Sequence, residues 1–224
     1  MPRKANNSYC MAKKKPCIVI DPGHGGDDLG AVGYDNLEEK AIVLYISKLV
    51  KKSLQSKGYD ILLTRKRDCF IPLAKRTEFA SKVCADLFVS IHANAALNKD
   101  AFGIETFYYP HGYGAMQNNE QTAYLQSYLN QKTLYSLMLA ENIQRSLCTE
   151  LSAMHFIGHA IDRKVKKAPF QVLIGSTQPS VLVEVGFLTH PYEGKLLSTN
   201  DYQQRIAKAI VKGIVDYINT ITFA

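Results

Sequence analysis

The segment CIVIDPGHGG, residues 17–26, carries the reading of the fold. Its first half, Cys17 to Asp21, is an apolar run too short for a helix and closed by Pro22 and Gly23, as expected of a buried strand. Outward from it, strand-like and helix-like periods alternate. Residues 38–57 read as a helix, with Ile42, Ile46, Val50 and Leu54 at four-residue spacing and Gly58 as the stop. Tyr59–Arg65 reads as a strand, Leu73–Val83 as a helix, Asp86–His92 and Gly103–Tyr109 as strands. The pattern then loosens through Pro110, Gly112, Gly114 and the polar residues 117–121, which suggests an insertion. Leu139, Ile143, Leu147 and Leu151 mark a further helix, and Phe170–Ile174 and Val181–Val185 read as strands split by a turn at 175–180. A final helix, capped by Asn200 or Asp201, places Ile206, Ile210 and Ile214 on one face. This alternation predicts a single α/β domain over residues 16–224, with a mostly parallel central sheet flanked by helices on both faces.

Composition narrows the function. At 46% hydrophobic and 21% charged, the chain has ordinary globular composition. The net charge of +7 comes largely from residues 1–15, where Arg3, Lys4, Lys13, Lys14 and Lys15 stand without an acid. The remaining 22 basic and 20 acidic residues nearly balance, so the body offers no electrostatic case for nucleic acid, and the start reads as a flexible basic tail. No stretch approaches the roughly 20 apolar residues of a membrane span, and no secretory signal is visible. Five scattered cysteines, odd in number, show neither a zinc-knuckle spacing nor a full disulfide framework, and Cys17 and Cys84 read as inert thiols in or beside apolar runs.

Four polar residues stand out by position. In open α/β sheets, functional groups collect at the carboxyl ends of strands. His24 lies three residues past the first strand, His92 ends the third, Glu184 nears the end of a late strand, and Glu39 opens the first helix above the same rim. Two histidines and a carboxylate form a known catalytic zinc set that leaves a fourth position to water. Glu184, flanked by Val183 and Val185, is a costly place for an idle carboxylate and suits the separate base that such a water needs. From position alone, Glu38 competes with Glu39, which could also be a first-turn acid favoured by the helix dipole. Other chemistries fit less well. Asp28 stands where a dinucleotide loop needs its third glycine, no serine-hydrolase elbow is present, and nothing beside Cys84 lowers a thiol pKa.

The segments IVIDPGHGG (18–26), EEKAIVL (38–44), LLTRKRD (62–68), LAKRTEFA (73–80), DLFVSIHANA (86–95), GIETFYY (103–109) and VLVEVGFLTH (181–190) together resemble the zinc-dependent N-acetylmuramoyl-L-alanine amidases of bacterial cell-wall cleavage. The resemblance runs in order from about residue 16 to residue 219. It implies one Zn2+ per chain held by His24, Glu39 and His92, chooses Glu39 over Glu38 because Glu39 directly precedes Lys40, and gives Glu184 the catalytic role. The implied reaction is hydrolysis of the amide joining N-acetylmuramic acid to the L-alanine of the stem peptide, in cell-wall remodelling or cell separation. Asn94, Arg163 and the Gly25–Gly26 backbone are the expected substrate contacts. Peptidoglycan is the expected partner and the periplasm or cell envelope the expected location. Some family members carry an inserted helix that occludes the zinc until a protein activator moves it, which points to residues 111–130 and Glu120 as the place to look for a gate. Val43, where the family often has Asn, and Thr189-His190, where Ser-Asn is frequent, depart from the pattern. Two other readings are a zinc peptidase or carboxypeptidase cutting within the stem, and a non-catalytic wall-binding module, although the latter should have lost a ligand or base and here all four positions are filled.

Overall fold

The structure, a computed structural model, describes residues 16–110, 120–152 and 162–222. The basic stretch 1–15, the first part of the expected insertion (111–119), residues 153–161 and the last two residues lie outside the described residues. The strands are β1 (Cys17–Pro22), β2 (Asp60–Leu63), β3 (Leu87–Asn94), β4 (Ile104–Tyr108), β5 (Asp162–Lys167) and β6 (Ser180–Phe187). The helices are α1 (Glu39–Ser56), α2 (Leu73–Lys82), α3 (Glu120–Ser152), α4 (Gln171–Ile174), α5 (Pro191–Leu197) and α6 (Asn200–Thr222). They build one sheet of order β2-β1-β3-β6-β4-β5. Strands β2, β1, β3 and β6 are mutually parallel; β4 runs antiparallel to β6, and β5 is parallel to β4.

Strand alternation assigns the two faces. Ile18, Ile20, Val89, Ile91, Val181, Val183 and Val185 project to one side and meet α1, α3 and α6, forming the main core. Val19, Phe88 and Leu182, one position out of phase, face α2 and α4 in a much smaller cluster. Continuing along that second phase reaches Asp21, Ser90, His92 and Glu184, with Glu105 directly across from Glu184. Because α2 and α4 are short, they cover only the lower part of this face. The upper part, at the carboxyl ends of β1, β3 and β6, lies open as a cleft.

Three elements differ from the sequence expectation. Phe170–Ile174 is not a strand: Gln171–Ile174 forms a one-turn helix whose Val172 and Leu173 pack down on the sheet while Ile174 stays exposed. A short apolar run has the same composition in either conformation, so period could not decide it. Strand β5, DRKVKK, has no apolar alternation because it is the outer edge of the sheet, with charge facing water. Helix α3 begins near Glu120, well before its apolar stripe, so residues 120–130 of the expected insertion are helical. Helix α5 follows β6 directly and is capped by His190, whose side chain accepts from the Glu193 N–H. No described helix is long and apolar enough to cross a membrane.

Candidate metal centre and active-site cleft

The loop after β1 is held by two buried arginines. Arg65 donates from Nε to the Pro22 carbonyl at 3.1 Å and from Nη2 to the Gly23 carbonyl at 2.7 Å. Arg76 reaches Asp21 Oδ1 at 3.0 Å, the Pro22 carbonyl at 2.7 Å and the His24 carbonyl at 2.8 Å. Asp21 is completely buried and also accepts from Ser90 and Thr64, so the Arg76 charge is paired and its carboxylate satisfied. These contacts explain why segments 62–68 and 73–80 accompany the histidine loop: they supply the side chains that bind its carbonyls. The chain enters the left-handed region at His24 (φ 57) and stays there through Gly25 and Gly26 (φ 127 and 61). For a histidine this costs about 1–2 kcal/mol, a strain the arginine contacts hold in place.

The result brings His24, Glu39 and His92 together, with one ligand atom from each lying within 4.8 Å of the others. Glu39 Oε1 lies 3.1 Å from His24 Nε2 and 3.0 Å from His92 Nδ1. The two imidazoles meet edge to face, 4.9 Å between ring centres. The carboxylate is fixed from behind by the Ala31 N–H at 2.8 Å and the Ala93 N–H at 3.0 Å. Burial opposes ionisation of Glu39, yet the hydrogen bonds from His24 and His92 outweigh it and hold the carboxyl far below the usual range. Burial likewise works against a charged His24, but Glu39 and Asp28 raise its pKa above the ordinary value. The centre is tightly fitted: a methyl group at Gly30 would lie 2.5 Å from Glu39 Oε2 and 2.6 Å from His24 Cδ2.

These residues fit a divalent transition metal. Three nitrogen and oxygen donors converge from three separate elements, the set is compact, and Glu38, the neighbouring acid, instead points to Lys40. Beside them, Glu184 Oε2 is buried with no hydrogen-bond partner, although buried carboxylate oxygens are normally satisfied. Burial raises the Glu184 pKa to about 7, with His92 pulling it down and Glu39 and Glu105 pushing it up. Glu184, His24 and His92 line a cleft of about 490 Å³ whose other walls are Phe70, Leu73, Phe170 and Val172.

The other expected contacts lie nearby. Asn94 donates to Glu105 Oε1 at 2.6 Å, and Arg163 donates from Nε to Glu105 Oε2 at 3.1 Å while lying over the Phe187 ring. Gly25 and Gly26 border the centre, but their N–H groups are already used on the Asp28 carbonyl and on Asp68, and their carbonyls accept from Asp28 and Lys40. Their N–H groups are therefore taken up within the turn, while each carbonyl keeps a second lone pair. Of the departures from the family pattern, Val43 is a core residue, and Thr189 accepts from the Ala96 N–H at the rim.

Besides Arg65 and Arg76, two acids were not singled out as site residues from the sequence. Asp28 Oδ1 lies 2.8 Å from His24 Nδ1, fixing the ring so that Nε2 faces the centre; its place four residues after His24 was the available signal. Glu105 is buried among Asn94, Arg163 and Lys166, and nothing local in the sequence marks it, because its importance comes from strand pairing with β6.

Comparison with known proteins agrees with this geometry. The family model for N-acetylmuramoyl-L-alanine amidase matches residues 18–216. The chain is 35% identical over 245 residues to N-acetylmuramoyl-L-alanine amidase AmiA of Escherichia coli, covering 96% of this chain and 82% of that protein. Among solved structures, the amidase AmiC2 of Nostoc punctiforme superposes with a TM-score of 0.76 at 36% identity, over 93% of this chain and 99% of the other. The CwlD amidase of Clostridioides difficile, solved in complex with the GerS lipoprotein, gives a TM-score of 0.75 at 30% identity, over 92% and 100%. With that sheet, that cleft and these relatives, the chain belongs to the N-acetylmuramoyl-L-alanine amidase family.

Proposed function

We propose that this amidase works with one zinc ion held by His24, Glu39 and His92, and that Glu184 is its catalytic base. The observation that carries the proposal is the orphaned, buried Glu184 Oε2 beside three convergent ligands. When bound, zinc supplies Lewis acidity toward the scissile carbonyl and brings attack by water within reach near neutral pH. The bond to be cut is the amide between the lactyl group of N-acetylmuramic acid and the L-alanine of the stem peptide.

Each residue then has a defined task. Glu184 takes a proton from the attacking water as the oxygen bonds to the carbonyl carbon. It returns that proton to the alanine nitrogen as the C–N bond breaks, leaving a lactyl carboxylate on the glycan and a free amine on the peptide. A carboxyl whose pKa burial has raised to about 7 can both accept and release a proton near neutrality. Asp28 holds the His24 ring in the tautomer that presents Nε2 to the ion. Arg65 and Arg76 keep the loop carbonyls fixed, so the ligands are positioned before substrate arrives. Asn94 and Arg163 contact the substrate beyond the scissile bond.

The substrate places the protein in the cell envelope, outside the membrane, and fractionation that found it only in the cytosol would remove that part. A protein partner that raises a basal activity of the purified chain belongs to the same proposal, since the CwlD amidase was solved in complex with the GerS lipoprotein; an activity that no added envelope fraction raises would remove that part. The test of the centre is metal content. The protein should bind one zinc, lose peptidoglycan hydrolysis on chelation and regain it with zinc, whereas His24→Ala and His92→Ala should retain the fold but not the metal. Full activity after exhaustive chelation would contradict the proposal.

A further inference from the structure

Beyond Glu184 the cleft changes character. On the α2 side its walls are apolar, Phe70, Leu73 and Phe170. Across from Glu184, on β4, lies the buried carboxylate of Glu105, and two cations of β5, Arg163 and Lys166, are arranged around it. Both cations are partly open to solvent, with side chains 33% and 39% exposed, against 6% for Glu105. Arg163 uses Nε on Glu105 and Nη1 on the Phe102 carbonyl, and Nη2 has no protein partner among the described residues. Lys166 bonds Glu105 with one of its three donors and lies 5.8 Å from the Phe107 ring centre. Two positive charges thus share the Glu105 carboxylate, with the buried Glu193 the other acid that interacts with Arg163, and both cations keep donors open to solvent.

From this we infer that Arg163 and Lys166, braced by Glu105, form a subsite for a carboxylate of the stem peptide, and that this subsite makes the enzyme prefer stems with a free α-carboxylate on the second residue. The inference rests on the amidase reading above. The peptide leaves the scissile bond through L-alanine to a γ-linked D-glutamate, whose α-carboxyl group is either free or amidated. Glu105 pairs directly with Glu184 across β4 and β6, which puts the two side chains about 5 Å apart at Cβ. Arg163 and Lys166 stand one side chain farther out. An α-carboxylate one residue beyond alanine lies about 7 Å from the scissile nitrogen, given the ~3.5 Å that an extended residue spans. The spacing matches the second stem residue. A carboxyl group on the third, diamino, residue would lie one residue farther along.

Glu105 is a positioning residue in this arrangement. It neutralises half of the cationic pair and ties both side chains to β4, so they are ordered before an anion arrives. Replacing the substrate's carboxylate by a carboxamide removes the charge that Arg163 and Lys166 read. Losing one partly exposed, charge-assisted contact lowers kcat/KM by about tenfold.

The test uses three synthetic muramyl tripeptides with zinc-supplemented protein: both stem carboxyls free, the second residue amidated, and the third residue amidated. The expected result is about tenfold lower kcat/KM for amidation at residue two alone, expressed in KM, shrinking as salt rises. In Lys166→Met the discrimination should fall to about twofold or less. Cleavage of all three at equal rates would overturn the subsite while leaving the amidase reading intact. Sensitivity confined to residue three would overturn the assignment to the second residue, as would full discrimination retained in Lys166→Met. Cleavage of none would instead strike the amidase reading on which the subsite depends.

Discussion

Substituting Asp28 isolates the part played by a residue that orients a ligand ring from the side. Its Oδ1 lies 2.8 Å from His24 Nδ1 and 3.2 Å from the Gly30 N–H, so it orients both a ligand ring and the turn beneath it. A hydrogen bond to a charged group contributes about 1.5–3 kcal/mol. The Asp28 side chain is 42% exposed, so solvent screening places its share at the lower end, about 1.4 kcal/mol, which is tenfold in an equilibrium constant. Asp28→Asn keeps an acceptor oxygen and should weaken zinc binding by about that factor. Asp28→Ala removes the acceptor as well and should move toward the hundredfold limit typical of groups that orient metal-ligating histidines, about 10–100-fold. Competition against a chromophoric zinc chelator measures the affinity, and hydrolysis at saturating zinc shows whether turnover returns once the ion is in place. Asp28→Ala binding zinc within twofold of the unaltered protein would refute the orienting role.

Two further outcomes concern the scaffold. Gly213→Ala should destabilise the fold by about 1–2 kcal/mol in urea unfolding, because a Cβ there would lie 2.5 Å from the Ile143 Cα on α3, and that overpacking outweighs the ~1 kcal/mol an alanine normally adds to a helix; a more stable variant would show that α3 and α6 are not in such close contact. Lys132 is buried, and desolvation lowers its pKa to about 7 from an unfolded value of 10.5. The unfolded chain therefore binds the extra proton between those values, so unfolding free energy should rise by up to about 2 kcal/mol from pH 7 to 9, and Lys132→Met should flatten that rise. An identical pH slope in the variant would assign the effect elsewhere.

The legible part of the fold was what a single strand or helix states about itself. Ile18–Ile20, Val89–Ile91 and Val181–Val185 are buried on both sides and read as strands without help, and the four-residue spacing in α1 and α6 announced their inward faces. The edge strand β5 was silent, since a strand with water on one side and charge on the other has no apolar period. The one-turn α4 was misread because a run as short as QVLI carries no period. The same division holds in the cleft. His24, Glu39, His92 and Glu184 sit at the ends of elements that the sequence marks, and topology alone sends such ends to one rim. Arg65, Arg76 and Glu105 matter through partners 11 to 61 residues away, and those pairings exist only once β2 and α2 lie against β1, and β3, β6, β4 and β5 follow one another in the sheet.

The most direct measurement is the mass of what the protein releases from purified peptidoglycan, with zinc present, for the unaltered chain and for Glu184→Gln. The account predicts intact stem peptides with a free L-alanine amino terminus from the former, and at least a thousandfold less from the latter with its zinc still bound, a loss on the order of 4 kcal/mol in the barrier. Shortened stems still attached to glycan, or undiminished release by Glu184→Gln, would contradict it.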